Sequence, residues 1–164
     1  PWKRGGEYIV LALQIPGDAS LQGIDISDWA RSRMLSIRCQ TEMPIILRTP
    51  QLKRPYNLKA ITRGLRGVTV QEGSKENLVP TLDGAYCTVT YTSGLGVDSV
   101  MNGTPTIAYN PGNFAYDIST RFIDSINSIA YPDREQWIKN LSYCQWNISE
   151  IQEGLPWEHL RVLL

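Results

Sequence analysis

The sequence predicts an α/β fold, a Rossmann-like three-layer domain with a mainly parallel sheet. Two observations carry that prediction. Residues 8–13 (YIVLAL) and 86–91 (YCTVTY) are unbroken apolar or β-branched runs, the pattern of strands buried on both faces. Strand-like runs then alternate along the chain with stretches of helical spacing, the order expected of βαβ units that cover a parallel sheet on both sides.

The first strand, residues 8–13, runs into a polar turn over 14–23. Asp25 and Ser27 are candidate N-caps for a helix through about Cys39, with Ile26, Trp29, Ala30, Met34 and Ile37 near helical spacing. Residues 44–48 (PIILR) form a second buried strand stopped by Thr49-Pro50, and the stretch up to Tyr56 is basic and proline-rich. A short helix over 57–65, closed by Gly64 or Gly67, and a short strand over 68–70 follow. A short helix over 77–84 precedes the strand at 86–91. Residues 94–102 read as a helix ended by Gly103, and 104–109 as another strand. Beyond the turn Asn110-Pro111-Gly112-Asn113 the periodicity weakens. Tyr131-Pro132-Asp133 then announces a helix with Asp133 as N-cap and Gln136 at the capping-box position, and a further helix is expected over 149–154. With no internal repeat, low-complexity stretch or linker, residues 1–164 are expected to form a single domain.

Composition narrows the function classes. The chain has 164 residues, enough for a sizeable core, and 42% hydrophobic with 20% charged residues is an ordinary globular balance. Sixteen basic residues offset sixteen acidic ones, so no bulk field draws in nucleic acid. No apolar window is long enough to span a membrane, and no apolar core of a signal peptide follows residues 1–6. The missing initiator Met suggests a trimmed chain or a piece of a longer protein. Three scattered cysteines (Cys39, Cys87, Cys144) without a C-x-x-C pair suggest free thiols and a cytoplasmic location. A single histidine, His159, rules out a zinc site built on several histidines, and no metal or organic cofactor is expected.

Four constellations are candidates for chemistry, all at the carboxyl ends of expected strands, where open α/β sheets bind ligands. The first is Thr92-Ser93-Gly94-Leu95-Gly96 between a buried strand and a helix. There the Gly94 and Gly96 backbone would let a phosphate approach the helix amides, and the Thr92 and Ser93 hydroxyls would add hydrogen bonds. A plain tight turn explains the same residues. The match to G-x-G-x-x-G is imperfect, with Ser99 at the third glycine, so a dinucleotide cofactor is a weak reading. The second is Gln14, Asp18 and Ser20, where Asp18 either accepts from a sugar hydroxyl or caps the next segment. The third is the basic loop from Arg48 to Arg54, with Lys53 between, which would meet a diphosphate or stand solvated. The fourth is residues 110–117 (NPGNFAYD), whose Phe114 and Tyr116 either stack on a base or sugar or cover the core.

Together the runs VLALQIPGDASLQG and YTSGLGVDSVMNGTPTIAY resemble bacterial capsule polysaccharide biosynthesis glycosyltransferases of the type that transfers Kdo from its CMP-activated form. The second run is also similar to the C-terminal, donor-binding halves of many GT-B enzymes. The resemblance spans about residues 7 to 110 and implies one half of a GT-B fold that takes a nucleotide-activated sugar as substrate. It implies that Gln14 and Asp18 line the donor cleft, with Ser20, Arg48, Thr49 and Asn110 at its edges. It implies that Ser93 and the Gly94 and Gly96 amides hold the donor phosphate. It also implies an N-terminal acceptor domain, or a partner chain, that supplies the base. One position departs: Thr49 stands where the family has the His of a His-Pro pair, so no imidazole can assist the leaving group. A non-catalytic nucleotide-binding or interaction domain derived from such an enzyme is the alternative. A phage-type enzyme that glycosylates modified DNA bases is a third reading, and the neutral charge counts against it.

Overall fold

The computed structural model describes residues 1–51 and 56–161, which fall into two compact units, Pro1–Pro132 and Asp133–Leu164. The first unit holds a five-stranded, all-parallel sheet flanked by helices, as the sequence predicts. Its strands are β1 (Tyr8–Ala12), β2 (Ile45–Thr49), β3 (Val68–Glu72), β4 (Ala85–Thr90) and β5 (Thr106–Ala108), and they lie in the order β3-β2-β1-β4-β5. The helices between them are α1 (Ile26–Gln40), α2 (Leu58–Thr62), α3 (Lys75–Asp83) and α4 (Leu95–Asn102).

The alternation of side chains along β1 explains why its sequence is apolar throughout. Ile9, Leu11 and Leu13 pack on one face with Ile26, Ala30, Met34 and Ile37 of α1 and Ile61 of α2. Val10 and Ala12 pack on the other with Leu82 of α3 and Leu95 of α4. A central parallel strand buried on both faces has no position for a polar residue. Edge strand β3, by contrast, exposes Thr69, Val70 and Glu72.

Local chemistry sets the helix ends. Of the two candidate caps before α1, Asp25 does the work: its carboxylate accepts from the amides of Ser27 at 2.8 Å and Asp28 at 3.1 Å. At the other end Arg38 donates to the carbonyls of Thr41 and Met43, at 3.0 and 2.8 Å, where a cation also suits the helix dipole. Helix α3 begins earlier than the expected residue 77, because Ser74 and Asn77 form a reciprocal capping box. The weakly patterned stretch after β5 is not idle. It winds into 3-10 turns at Tyr116–Ile118 and Ile123–Ser128, and Ile123 and Ile126 close the core beneath α1.

The second unit contains α5 (Glu135–Tyr143), α6 (Ile148–Gln152) and α7 (Leu155–Leu160). Asp133 accepts from the Glu135 amide at 2.9 Å, but Arg134 occupies the N-cap position and Gln136 bonds Asn140, so the expected capping box is not there. A true capping box forms at Asn147 and Glu150, where no cap was expected. His159 packs edge-on to Tyr143, with ring centroids 4.5 Å apart, and lies 5.5 Å from Trp146. Among the described residues no helix is long and apolar enough to cross a membrane.

Leu11 is fully buried at the centre of β1. Leu11→Ala is expected to lower unfolding free energy by about 2–5 kcal/mol in urea titration, because the rigid sheet cannot collapse around the cavity. Val70→Thr, on the exposed face of β3, is expected to change it by under about 0.5 kcal/mol.

Candidate functional site

A strand order of 3-2-1-4-5 reverses direction between β1 and β4. The chain leaves β1 toward α1 on one face and leaves β4 toward α4 on the other, so their carboxyl ends diverge and open a crevice. The polar residue that ends β1 enters this crevice. Gln14 is nearly buried, and its amide spans the gap to the residue that follows β4. The Thr92 amide donates to Gln14 Oε1 at 2.8 Å, and Gln14 Nε2 donates to Thr92 Oγ1 at 2.8 Å and to Ser20 Oγ at 3.2 Å. From the other side the Tyr56 hydroxyl donates to the Gln14 carbonyl at 2.7 Å, and burial pushes its pKa up to about 12.

Two clefts open on this edge. One, of about 260 Å³, is lined by Gln14, Asp18, Ser20, Thr92, Ser93 and Gly94 among others. The second, of about 290 Å³, lies between the starts of α3 and α4 and is lined by Arg48, Thr49, Ser74, Lys75, Ser93 and Asp98 among others. Ser93, Leu13 and Pro50 line both, so together they form the ridge between them. Of the residues expected at the phosphate site and donor cleft, Asn110 and Gly96 stand outside both linings, and so do Phe114 and Tyr116 of the fourth constellation. Lys53 and Arg54 lie outside the described residues.

The turn after β4 distinguishes glycines that the fold needs from one that it does not. A Cβ on Gly96 would lie 2.8 and 2.9 Å from the Asn113 side-chain amide and 3.1 Å from Thr90, so this glycine makes room for Asn113. Its amide is also spoken for, donating to the Ser93 carbonyl at 3.0 Å. Gly96 is thus a packing residue, not the phosphate contact that its place in the TSGLG run suggests. Gly94 differs. Its φ of −56° suits any residue, and a Cβ there would meet nothing within 4 Å. Neither backbone conformation nor packing calls for glycine at this exposed position. Among the described residues its amide has no hydrogen-bond partner, whereas the Leu95 amide donates to Ser93 Oγ at 3.2 Å. That bond occupies the Ser93 oxygen as acceptor and leaves its hydroxyl proton to donate elsewhere.

The remaining residues divide between support and cleft. Asp18 accepts from the Ser20 amide at 2.8 Å, and hydrogen bonds from Ser20 hold its carboxyl below the usual range. It caps the 3-10 turn Ala19–Leu21 while lining the first cleft. Asn110 shapes its own loop, donating to the Tyr91 hydroxyl at 2.9 Å and accepting from the Gly112 amide at 2.7 Å. Thr49 is buried, and its carbonyl accepts from Gly73 at 2.7 Å. Asp98, which sequence reasoning missed, lies on the second cleft. Desolvation raises its carboxyl above the ordinary value, and the Arg48 charge partly opposes this. Ser74 and Lys75 were also missed, although the S-x-x-N spacing directly after a strand marks a helix start there.

Removing the Gln14 bridge leaves the buried-side amide of Thr92 without its acceptor. Gln14→Leu is expected to cost about 1–3 kcal/mol of stability in denaturant titration and to increase hydrogen exchange over residues 92–95. Asp98 carries the opposite sign. A carboxyl raised by desolvation carries no penalty below its unfolded pKa and a full one above its folded pKa. Asp98 is an exposed residue on the cleft's rim, so Asp98→Asn is expected to raise the melting temperature only slightly at pH 7, with the gain shrinking as pH falls through the carboxyl range.

Compared with known proteins, the chain matches no family model, no curated protein and no solved structure.

Proposed function

We propose that the crevice between β1 and β4 binds the phosphate of a nucleotide-activated sugar, and that the chain is the donor-binding half of a GT-B-type glycosyltransferase in surface polysaccharide assembly. The observation that carries this reading is Gly94. A glycine that neither the backbone nor the packing calls for, with an open amide at the first turn of α4, suits close approach by an anion. Beside it the Ser93 hydroxyl proton, which has no acceptor among the described residues, adds a second donor, and the helix dipole favours negative charge. The polar cleft of Gln14, Asp18 and Ser20 then lies beside the phosphate for the rest of the donor.

On this reading the chain stabilises charge as it develops on the departing nucleotide phosphate, through donors fixed before the reaction begins. The base that activates the acceptor comes from a partner domain or chain, and the three unpaired cysteines suit the reducing cytoplasm. One observation favours a second reading, a binding module without chemistry. Asp18, the carboxylate of the donor cleft, is engaged as the cap of the 3-10 turn, and its hydrogen bonds with Ser20 favour the charged form and so weaken it as a base. Turnover of a nucleotide sugar in the presence of acceptor distinguishes the two.

The test is a thermal-shift panel of CMP, UDP, GDP, ADP and their sugar derivatives. A ligand at about a hundred times its dissociation constant stabilises by roughly 2.7 kcal/mol, worth several degrees for a domain of this size. Gly94→Ala separates site from fold. It is expected to hold or raise stability by up to about 1 kcal/mol, because a flexible residue is lost from the unfolded chain, and to abolish the nucleotide shift. A variant that keeps the full shift contradicts the assignment.

A further inference from the structure

The two edges of the sheet are finished differently. Beyond β5 a later segment closes the edge: the Thr120 amide donates to the Thr106 carbonyl at 2.9 Å, and the Ala108 amide donates to the Thr120 carbonyl at 3.2 Å. Beyond β3 no such segment is present among the described residues. The pairing with β2 uses every second residue of β3. It runs from the Gly67 carbonyl, which accepts from Ile45 at 2.8 Å, to the Gly73 amide, which donates to Thr49 at 2.7 Å. By that alternation the backbone groups of Val68, Val70 and Glu72 point away from the sheet. Among the described residues only the Glu72 carbonyl of this set has a partner, the Asn77 side-chain amide at 2.9 Å. A row of open donors and acceptors is a template for another strand.

The side chains of this edge invite pairing as well. Residues 68–72 (VTVQE) contain no proline or lysine, and their register with β2 runs unbroken from Val68 to Glu72. Val70, at the middle of the strand, leaves 41% of an apolar side chain uncovered. About Thr69, the run Arg66-Gly67-Val68-Thr69-Val70-Gln71-Glu72 is its own antiparallel complement. Self-pairing there sets Val68 against the second copy's Val70, Thr69 against its own counterpart, and Glu72 against the second copy's Arg66. Pairs of β-branched residues, a Thr–Thr pair and opposite charges are each favourable across antiparallel strands. Arg66 and Glu72 are exposed, and among the described residues neither makes an ion pair within the chain. A net charge of zero sets no repulsion between copies.

We infer that β3 is a homodimer interface, at which two copies join edge to edge as an antiparallel pair about Thr69 and merge two five-stranded sheets into one. A twofold contact must be complementary to itself, and residues 66–72 meet that condition. The outward groups of Val68 and Val70 exchange hydrogen bonds with the second copy's Val70 and Val68. The two sheets then run end for end, so their carboxyl edges face opposite ways. The crevice between β1 and β4 is separated from the join by β2 and β1, so the inference stands apart from the nucleotide reading. Two five-residue strands make a small interface, so the dimer is weak and dissociates on dilution.

Sedimentation equilibrium of the full chain tests it, over about 1 μM to about 1 mM, the span in which a small interface associates. The mass is expected to rise from monomer toward dimer across that span. Val70→Pro is expected to stay monomeric at every concentration, because proline removes the outward N–H, which β2 does not use. Circular dichroism checks its fold, and if it does not fold, Val70→Lys takes its place with the same expected result. Arg66→Glu and Glu72→Arg are each expected to weaken the dimer about tenfold, since each reverses two symmetric pairs, and the double variant is expected to restore it. A chain that stays monomeric throughout, a dimer that survives the folded Val70 variant, or charge reversals whose effects do not cancel overturns the inference.

Discussion

The carboxyl edge of this sheet depends on one side chain. In a 3-2-1-4-5 sheet the chain parts in opposite directions after β1 and β4, and the backbone groups there lose their strand partners. Gln14 resolves that conflict by acting as a surrogate peptide group. Its oxygen takes the Thr92 amide and its nitrogen supplies Thr92 Oγ1 and Ser20 Oγ, joining residues 78 apart in sequence. Tyr56 fixes the same residue from behind through its carbonyl. The position of Ser93, and with it the ridge between the two clefts, follows from this clamp.

Around the clamp, polar groups fall into those that the fold consumes and those that it leaves over. The Thr92 amide is satisfied by Gln14, those of Ser93, Leu95 and Gly96 by Thr90 and Ser93, and Asp18 and Asn110 accept from amides of their own turns. Among the described residues the Gly94 amide and the Ser93 hydroxyl proton are left over, and both residues line a cleft at this edge. Desolvation acts on charged residues of the second cleft. It raises the Asp98 carboxyl and lowers the Arg48 guanidinium, and the attraction between the two charges opposes both shifts.

Much of the fold was legible because it rests on short-range rules. Unbroken β-branched runs gave the buried strands, and Asp25 and Gly103 marked helix ends through their own local bonds. The site was less legible because its roles are assigned by distant partners. Gly94 and Gly96 look equivalent in sequence, and only Asn113, packed from a later loop, makes the second one structural. Gln14 looked like a ligand contact, and only the neighbouring strand shows that its amide is already engaged. Arg48 lines the second cleft as its place suggests, but Gln71 and Asn77, which hold its guanidinium, arrive from β3 and α3. Ser74 was readable as a cap by its spacing to Asn77, and placing the helix start at 77 concealed it and Lys75.

The most direct test of the account is amide chemical-shift mapping during titration of the folded chain with a nucleoside diphosphate such as UDP. The account predicts that the largest shifts fall on Ser93, Gly94 and Leu95, with small changes at the amino ends of the strands. Shifts spread over the amino-terminal edge of the sheet, or absent from the turn after β4, would contradict it.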